Sequence, residues 1–184
     1  MSNPQRLITV SGLPGCGKST IAEGLSRALA VPIFSIDPIE AAMWRSGLSA
    51  SETGIAAYRV AESMASENLA QSLSVIIDAV NPVENARTMW QALAERYRVQ
   101  LKSVEVVCSD EAVHKQRIEA RIRNIDGMPE VSWARVLERK AEYETRSDER
   151  LLLDSASHSP EQLIQRAAEY CRAPAALVRP SPRR

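Results

Sequence analysis

The segment Gly12-Leu13-Pro14-Gly15-Cys16-Gly17-Lys18-Ser19 has the spacing G-x-x-x-x-G-K-[ST]. The apolar run Leu7-Ile8-Thr9-Val10 precedes it and a helix-period stretch follows it. Strand, glycine loop and helix in that order close backbone N–H groups around a phosphate, and only residues without side chains, such as Gly12, Gly15 and Gly17, leave room for that approach. The helix N-terminus adds the positive end of its dipole. In a loop of this kind Lys18 reaches the β- and γ-phosphates and Ser19 sets its hydroxyl on Mg²⁺. Pro14 stiffens the turn. The competing explanation is an ordinary glycine-rich turn capping a helix, which the flanking strand and helix disfavour. Cys16 reads either as a thiol activated by the helix N-terminus or as a small packing residue, and we assign it no chemistry.

The rest of the chain repeats this strand-and-helix alternation. Short apolar runs at Leu7 to Val10, Ile33 to Ile36, Val75 to Ile77, Val104 to Val107 and Leu151 to Leu153 are separated by segments of helical period. Ile21, Leu25, Ala28 and Leu29 share one helix face, and Ala86, Met89, Trp90, Leu93 and Tyr97 share another. Trp133, Val136, Leu137 and Lys140 predict a further helix, and Leu163, Ile164, Ala167, Ala168 and Cys171 the last. Five parallel strands between helices follow. Aromatic residues at this spacing read as core rather than as base-stacking platforms.

A length of 184 residues suits one domain, placed at residues 1–172, with a flexible proline- and arginine-rich tail at 173–184. Lys plus Arg (23) equals Asp plus Glu (23), so no overall basic field draws in nucleic acid. A secretory signal and a membrane span are both missing from the pattern, so a cytoplasmic protein is expected, as monomer or homodimer. Cys16, Cys108 and Cys171 lack metal-ligand spacing and fit reduced thiols. His114 and His158 stand alone in sequence and read as surface or helix residues.

Chemistry needs carboxylates at the edge where parallel strands end, since ligands bind there. The second strand ends at Asp37-Pro38, which places Asp37 as a general base for a substrate hydroxyl, or as a helix N-cap. Glu40, one turn on, orients substrate or is solvated. Asp78 follows Val75-Ile76-Ile77 in the manner of a Walker B carboxylate, holding a water on Mg²⁺ or the loop serine; its alternative role is to cap the turn into Asn81-Pro82. Asn81 reads as a substrate contact or a turn former. Arg87 reads as an anion contact or as a partner of Glu84. The basic stretch from His114 to Asn124, followed by the turn Asp126-Gly127-Met128-Pro129, predicts a lid over about residues 114–135. There Arg117 and Arg121, four apart on a helix, approach the triphosphate, or else belong to a solvated charged face.

Across residues 6 to 170 these features together resemble the small P-loop kinases, and within them the AAA_33-type group, which includes relatives of polynucleotide kinase and of chloramphenicol phosphotransferase. The resemblance implies a three-layer α/β/α P-loop NTPase with a five-stranded parallel sheet in the order 2-3-1-4-5 and a helical lid. It also implies ATP, Mg²⁺ and transfer of the γ-phosphoryl group to a hydroxyl of a small molecule. By position, Gly12 to Thr20 form the nucleotide loop, Asp37 matches the base and Arg121 a lid arginine, and the acceptor lies among Asp37 to Tyr58 and Asn81 to Arg87. Leu152-Asp154-Ser155 approaches the adenine. Two other readings stay open: a polynucleotide 5'-end kinase, opposed by Pro38-Ile39-Glu40-Ala41 where that pattern has an arginine, and a non-catalytic nucleotide-binding switch. ATP is favoured over GTP because no Asn-Lys-x-Asp signal is present.

Overall fold

The computed structural model describes residues 4–122 and 125–174. Its elements alternate as the apolar runs require: β1 (Arg6–Ser11), α1 (Lys18–Leu29), β2 (Ile33–Ser35), α2 (Ile36–Arg45), α3 (Ala50–Ala70), β3 (Val75–Asp78), α4 (Glu84–Tyr97), β4 (Gln100–Val107), α5 (Glu111–Ala120), α6 (Trp133–Ala141), β5 (Leu151–Asp154) and α7 (Pro160–Arg172). The five strands form one sheet in the order β2-β3-β1-β4-β5. Every pairing is parallel. This is the order expected above.

Strand alternation divides the core into two layers, because successive side chains of one strand point to opposite faces. Ile8, Val10, Val104, Val106 and Leu153 face one way and pack with Ile21 and Leu25 of α1 and with Leu163, Ala167 and Cys171 of α7. Leu7, Val75 and Ile77 face the other way, against Ala57, Ala61, Ala65 and Leu69 of α3 and Trp90 and Leu93 of α4. The alanines recur every four residues, so α3 presents a smooth stripe that lets it lie close on the sheet.

Register then positions the site. Val10 of β1 pairs with Asp78 of β3, and Ser35 of β2 pairs with the same Asp78, so the glycine loop and the ends of three strands meet at one sheet edge. Two local expectations need correction. β2 stops at Ser35 and the chain enters α2 at once, so Asp37 sits in the first turn of that helix and not at a strand tip. Asp followed by Pro suits a first turn, where the missing N–H costs nothing and a carboxylate complements the dipole. In the segment expected to form a lid, α5 ends at Ala120; Arg121 is its C-cap in an extended conformation, so Arg117 and Arg121 do not share a helix face. Arg123, Asn124 and residues 175–184 of the expected tail lie outside the described residues. Among the described residues no helix is long and apolar enough to cross a membrane.

Candidate functional site

The glycine loop runs from the end of β1 into α1, with Gly12, Gly15 and Gly17 at φ of +144°, +82° and +92°. These angles are open to glycine and strained for other residues. Gly17 is the N-cap of α1, which begins at Lys18, so the first free N–H groups of the helix face the loop's concavity. That concavity opens into a cavity of about 490 Å³ whose walls include Gly15, Lys18, Ser19, Thr20, Arg117 and Arg121. Lys18 is only 4% exposed. Although α5 ends before Arg121, both arginines therefore line the same cavity as the lysine.

The far wall comes from the β5–α7 turn. Arg117 donates from Nη1 to Ser155 Oγ at 2.7 Å and from Nη2 to the Ser155 carbonyl at 2.9 Å. Asp154, just before it, accepts from the N–H and hydroxyl of Ser109, the N–H of Ala156 and the hydroxyl of Ser157. These donors hold its carboxyl far below the ordinary range, the Ser109 hydroxyl foremost. The carboxylate thereby ties the β4–α5 turn to the β5–α7 turn. His158 also lines the cavity.

Cys16 settles into its packing role. Burial, partly opposed by the nearby Lys18 charge, pushes its thiol up to about 11, which leaves no useful thiolate at neutral pH.

Asp78 is 5% exposed. Its Oδ2 accepts from Ser35 Oγ at 3.2 Å, while its Oδ1 is buried with no hydrogen-bond partner among the described residues. A buried carboxylate oxygen without a donor is costly and calls for a cation or water. No group of three or more His, Cys, Asp or Glu side chains able to cage a metal occurs among the described residues. The donor set nevertheless fits Mg²⁺, which keeps several waters and takes most remaining ligands from substrate phosphates.

The charges of Asp37 and Glu40 act on Tyr58 of α3. Burial pushes the Tyr58 phenol up to about 12; the N–H of Asn81 opposes that rise, the Asp37 charge adds to it, Arg139 of α6 opposes it and Glu40 adds again. Asp37 and Glu40 of α2 and Arg139 of α6 thus lie near enough to the Tyr58 phenol for their charges to act on it. Glu40 is also held in place: Trp44 donates to Thr53 Oγ1 at 2.7 Å, and Thr53 Oγ1 donates to Glu40 Oε1 at 3.1 Å. The chain between α5 and α6 reaches this side too, where Arg45 of α2 donates to the Asp126 carbonyl and lies 3.8 Å from its carboxylate.

Asn81 and Arg87 have structural partners. Asn81 takes the left-handed conformation at φ +50°, and its buried Oδ1 accepts from Trp90 Nε1 at 3.0 Å. Its N–H donates to the Tyr58 hydroxyl at 3.2 Å. Arg87, 8% exposed, donates to the carbonyls of Asn81 and Pro82. Its charge pairs with Glu144 at 3.6 Å, not with Glu84, whose backbone N–H also donates to Glu144.

Three features escape a reading along the chain. His114 is buried and lies against the glycine loop, with Nε2 at 2.7 Å from the Pro14 carbonyl. His158 walls the cavity beside Ser155, which the sequence resemblance sets near the adenine. Arg146 donates to Ser11 Oγ at 2.8 Å beneath the loop and clasps Asp148 through Nε and Nη2. Glu105 lies 4.0 Å from Arg146 and also accepts from Arg150.

The AAA_33 family model, described as an AAA domain, matches residues 7–146. No curated protein matches the sequence. Among solved structures, an unliganded sugar kinase from Janibacter sp. HTCC2649 superposes with a TM-score of 0.68 at 22% identity, over 91% of this chain and 94% of that one. The APS kinase of Mycobacterium tuberculosis, in complex with AMPPNP and APS, gives 0.66 at 15% identity over 94% and 100%. Kti12 of Chaetomium thermophilum, in complex with ADP-AlF3, gives 0.65 at 22% identity over 90% and 98%. At these identities the likeness is one of fold, that of a three-layer α/β/α P-loop NTPase.

Proposed function

We propose that this chain, which belongs to the AAA_33 family of AAA domains, is an ATP-dependent phosphotransferase that moves the γ-phosphoryl group to a hydroxyl of a small molecule. The observation that carries this reading is the meeting at one sheet edge of the glycine loop, whose cavity is walled by Lys18, Arg117 and Arg121, with the strand ends that bring Ser35 onto the buried Asp78, Asp37 following in the first turn of α2. The sugar-kinase and APS-kinase likenesses support it, as do the nucleotides present in two of the structures compared above.

Phosphoryl transfer asks little covalent chemistry of a protein and much positioning of charge. The loop N–H groups and Lys18 hold the phosphates, while Arg117 and Arg121 neutralise charge that grows on the transferring group. Asp37 accepts a hydrogen bond from the acceptor hydroxyl, aligns it and receives its proton. Ser19 and the unpartnered oxygen of Asp78 are the groups that would hold Mg²⁺, directly or through water. When bound, the ion offsets the phosphate charge. The lid, residues 114–135, excludes water, which keeps hydrolysis slow without acceptor.

The test incubates the protein with MgATP and a panel of sugars, nucleosides, hydroxylated antibiotics and short 5'-hydroxyl oligonucleotides, and follows products by phosphorus NMR. A phosphomonoester is expected with at least one small-molecule hydroxyl, together with slow ATP loss when no acceptor is present. Product from the oligonucleotide alone would move the assignment to an end kinase. Nucleotide binding with no product from any arm would favour a switch over an enzyme.

A further inference from the structure

We propose that His114 is a positioning residue for the nucleotide, acting through the Pro14–Gly15 peptide of the glycine loop. The inference rests on the nucleotide-binding part of the reading above and is independent of the acceptor. His114 is 6% exposed. Its Nε2 lies 2.7 Å from the Pro14 carbonyl oxygen. A carbonyl only accepts, so Nε2 carries the proton and donates. Its ring meets Trp133 of α6 edge-on, with centroids 5.2 Å apart, which fixes the ring's plane.

The consequence follows from peptide geometry. No cis peptide bond occurs among the described residues. In a trans peptide the C=O and the next N–H point in opposite directions. Holding the Pro14 carbonyl toward α5 therefore turns the Gly15 N–H away from α5. Gly15 lines the 490 Å³ cavity, so that N–H is aimed where the phosphates lie.

This peptide needs an anchor. Gly15 has φ +82° and no side chain, so its flanking peptide can rotate at little cost unless something holds it. One turn beyond His114 on α5, Ile118 packs where a Gly15 Cβ would sit, 2.6 Å from its Cδ1. The same helix carries Arg117 to the cavity. Thus α5 presses on the loop from outside with His114 and Ile118 and reaches round it with Arg117. The histidine is no catalytic residue; it acts by keeping one N–H donor in register before nucleotide arrives.

Calorimetric titration with MgATP of the wild type and of His114→Phe, His114→Gln and His114→Asn tests this, at a temperature well below each variant's melting point so that folded protein is compared. Phe keeps a ring against Trp133 and removes the donor. Gln places an amide N–H near the Nε2 position, and Asn cannot reach it. The Phe and Asn variants are expected to bind MgATP about tenfold more weakly, the scale of one charge-assisted hydrogen bond. Gln should stay within about twofold. The β-phosphorus resonance of bound ATP should shift in Phe and Asn and stay put in Gln, which a merely structural role for the ring would not produce. Equal affinity in the Phe variant and the wild type overturns the proposal and leaves the phosphotransferase reading intact. Gln as weak as Phe also overturns it. If the Phe variant does not fold, the Gln and Asn pair decides alone. A wild type that binds no nucleotide overturns both this proposal and the function it rests on.

Discussion

Asp37→Asn is expected to lower the rate of phosphoryl transfer by about a thousandfold, the middle of the range for a positioned general base. The amide is nearly isosteric with the carboxylate and keeps a hydrogen-bond acceptor, so the acceptor hydroxyl still docks. What disappears is the group that takes its proton as the new bond forms. Asp37 lies in the first turn of α2, outside the residues that line the cavity of Lys18, Arg117 and Arg121. Affinity for MgATP should therefore stay within about threefold of wild type. The α2 helix should persist, because Asn also tolerates helix N-termini. Steady-state rates with the best acceptor of the panel, beside calorimetric affinity for ATP, separate the two effects. Full transfer activity in the variant would remove Asp37 from the chemistry and make its first-turn placement purely a helix-start device.

The second large effect concerns the loop itself. Gly12→Ala is expected to destabilise the fold by about 3 kcal/mol or more and to abolish nucleotide binding. Two costs add. A Cβ at Gly12 would overlap the Val106 carbonyl oxygen, which belongs to the central sheet, and would meet Cys16 Sγ at 2.7 Å. Forcing volume into such a place costs about 1–3 kcal/mol. The φ of +144° adds strain for any residue with a side chain, about another 1–3 kcal/mol. Urea unfolding measures the sum. Gly54→Ala is the natural control, because a Cβ there meets nothing within 4 Å and its helix would gain propensity. If both substitutions left stability unchanged, the close approach of loop and β4 would be wrong.

The parts of this molecule that were legible in the chain are those specified by local pattern. Buried parallel strands read as short apolar runs because both faces are covered, and Leu7 to Val10, Val75 to Ile77 and Val104 to Val107 all appear as strands. The glycine loop was legible because its φ angles and close approach to β4 demand glycine at fixed spacing. Boundaries were less so: Ile36 continues an apolar run by composition, yet helix α2 claims it, because Asp-Pro immediately after makes a better first turn than a strand end. Pairings over long stretches of chain left no local trace. His114 meets Pro14 across 100 residues, and Arg146 meets Ser11 across 135. On its own helix His114 sits among charged neighbours and looks solvated; only the fold of α5 onto the glycine loop buries it. Of the two roles the sequence offers Arg87, an anion contact or a pairing with Glu84, the second rests on a contact that is merely local. The structure selects Glu144 instead, since that segment returns to the β3–α4 turn, where the Glu144 N–H donates to the Pro82 carbonyl at 2.9 Å.

Calorimetric titration of MgATP into the wild-type chain and into Lys18→Ala bears most directly on the claim that the glycine loop cradles a nucleotide's phosphates. Wild type should bind one equivalent with a saturable heat. The alanine variant, still folded by circular dichroism, should bind at least about thirtyfold more weakly, as expected for losing a buried charge-assisted contact. No heat in the wild type, or equal affinity in the two proteins, would contradict it.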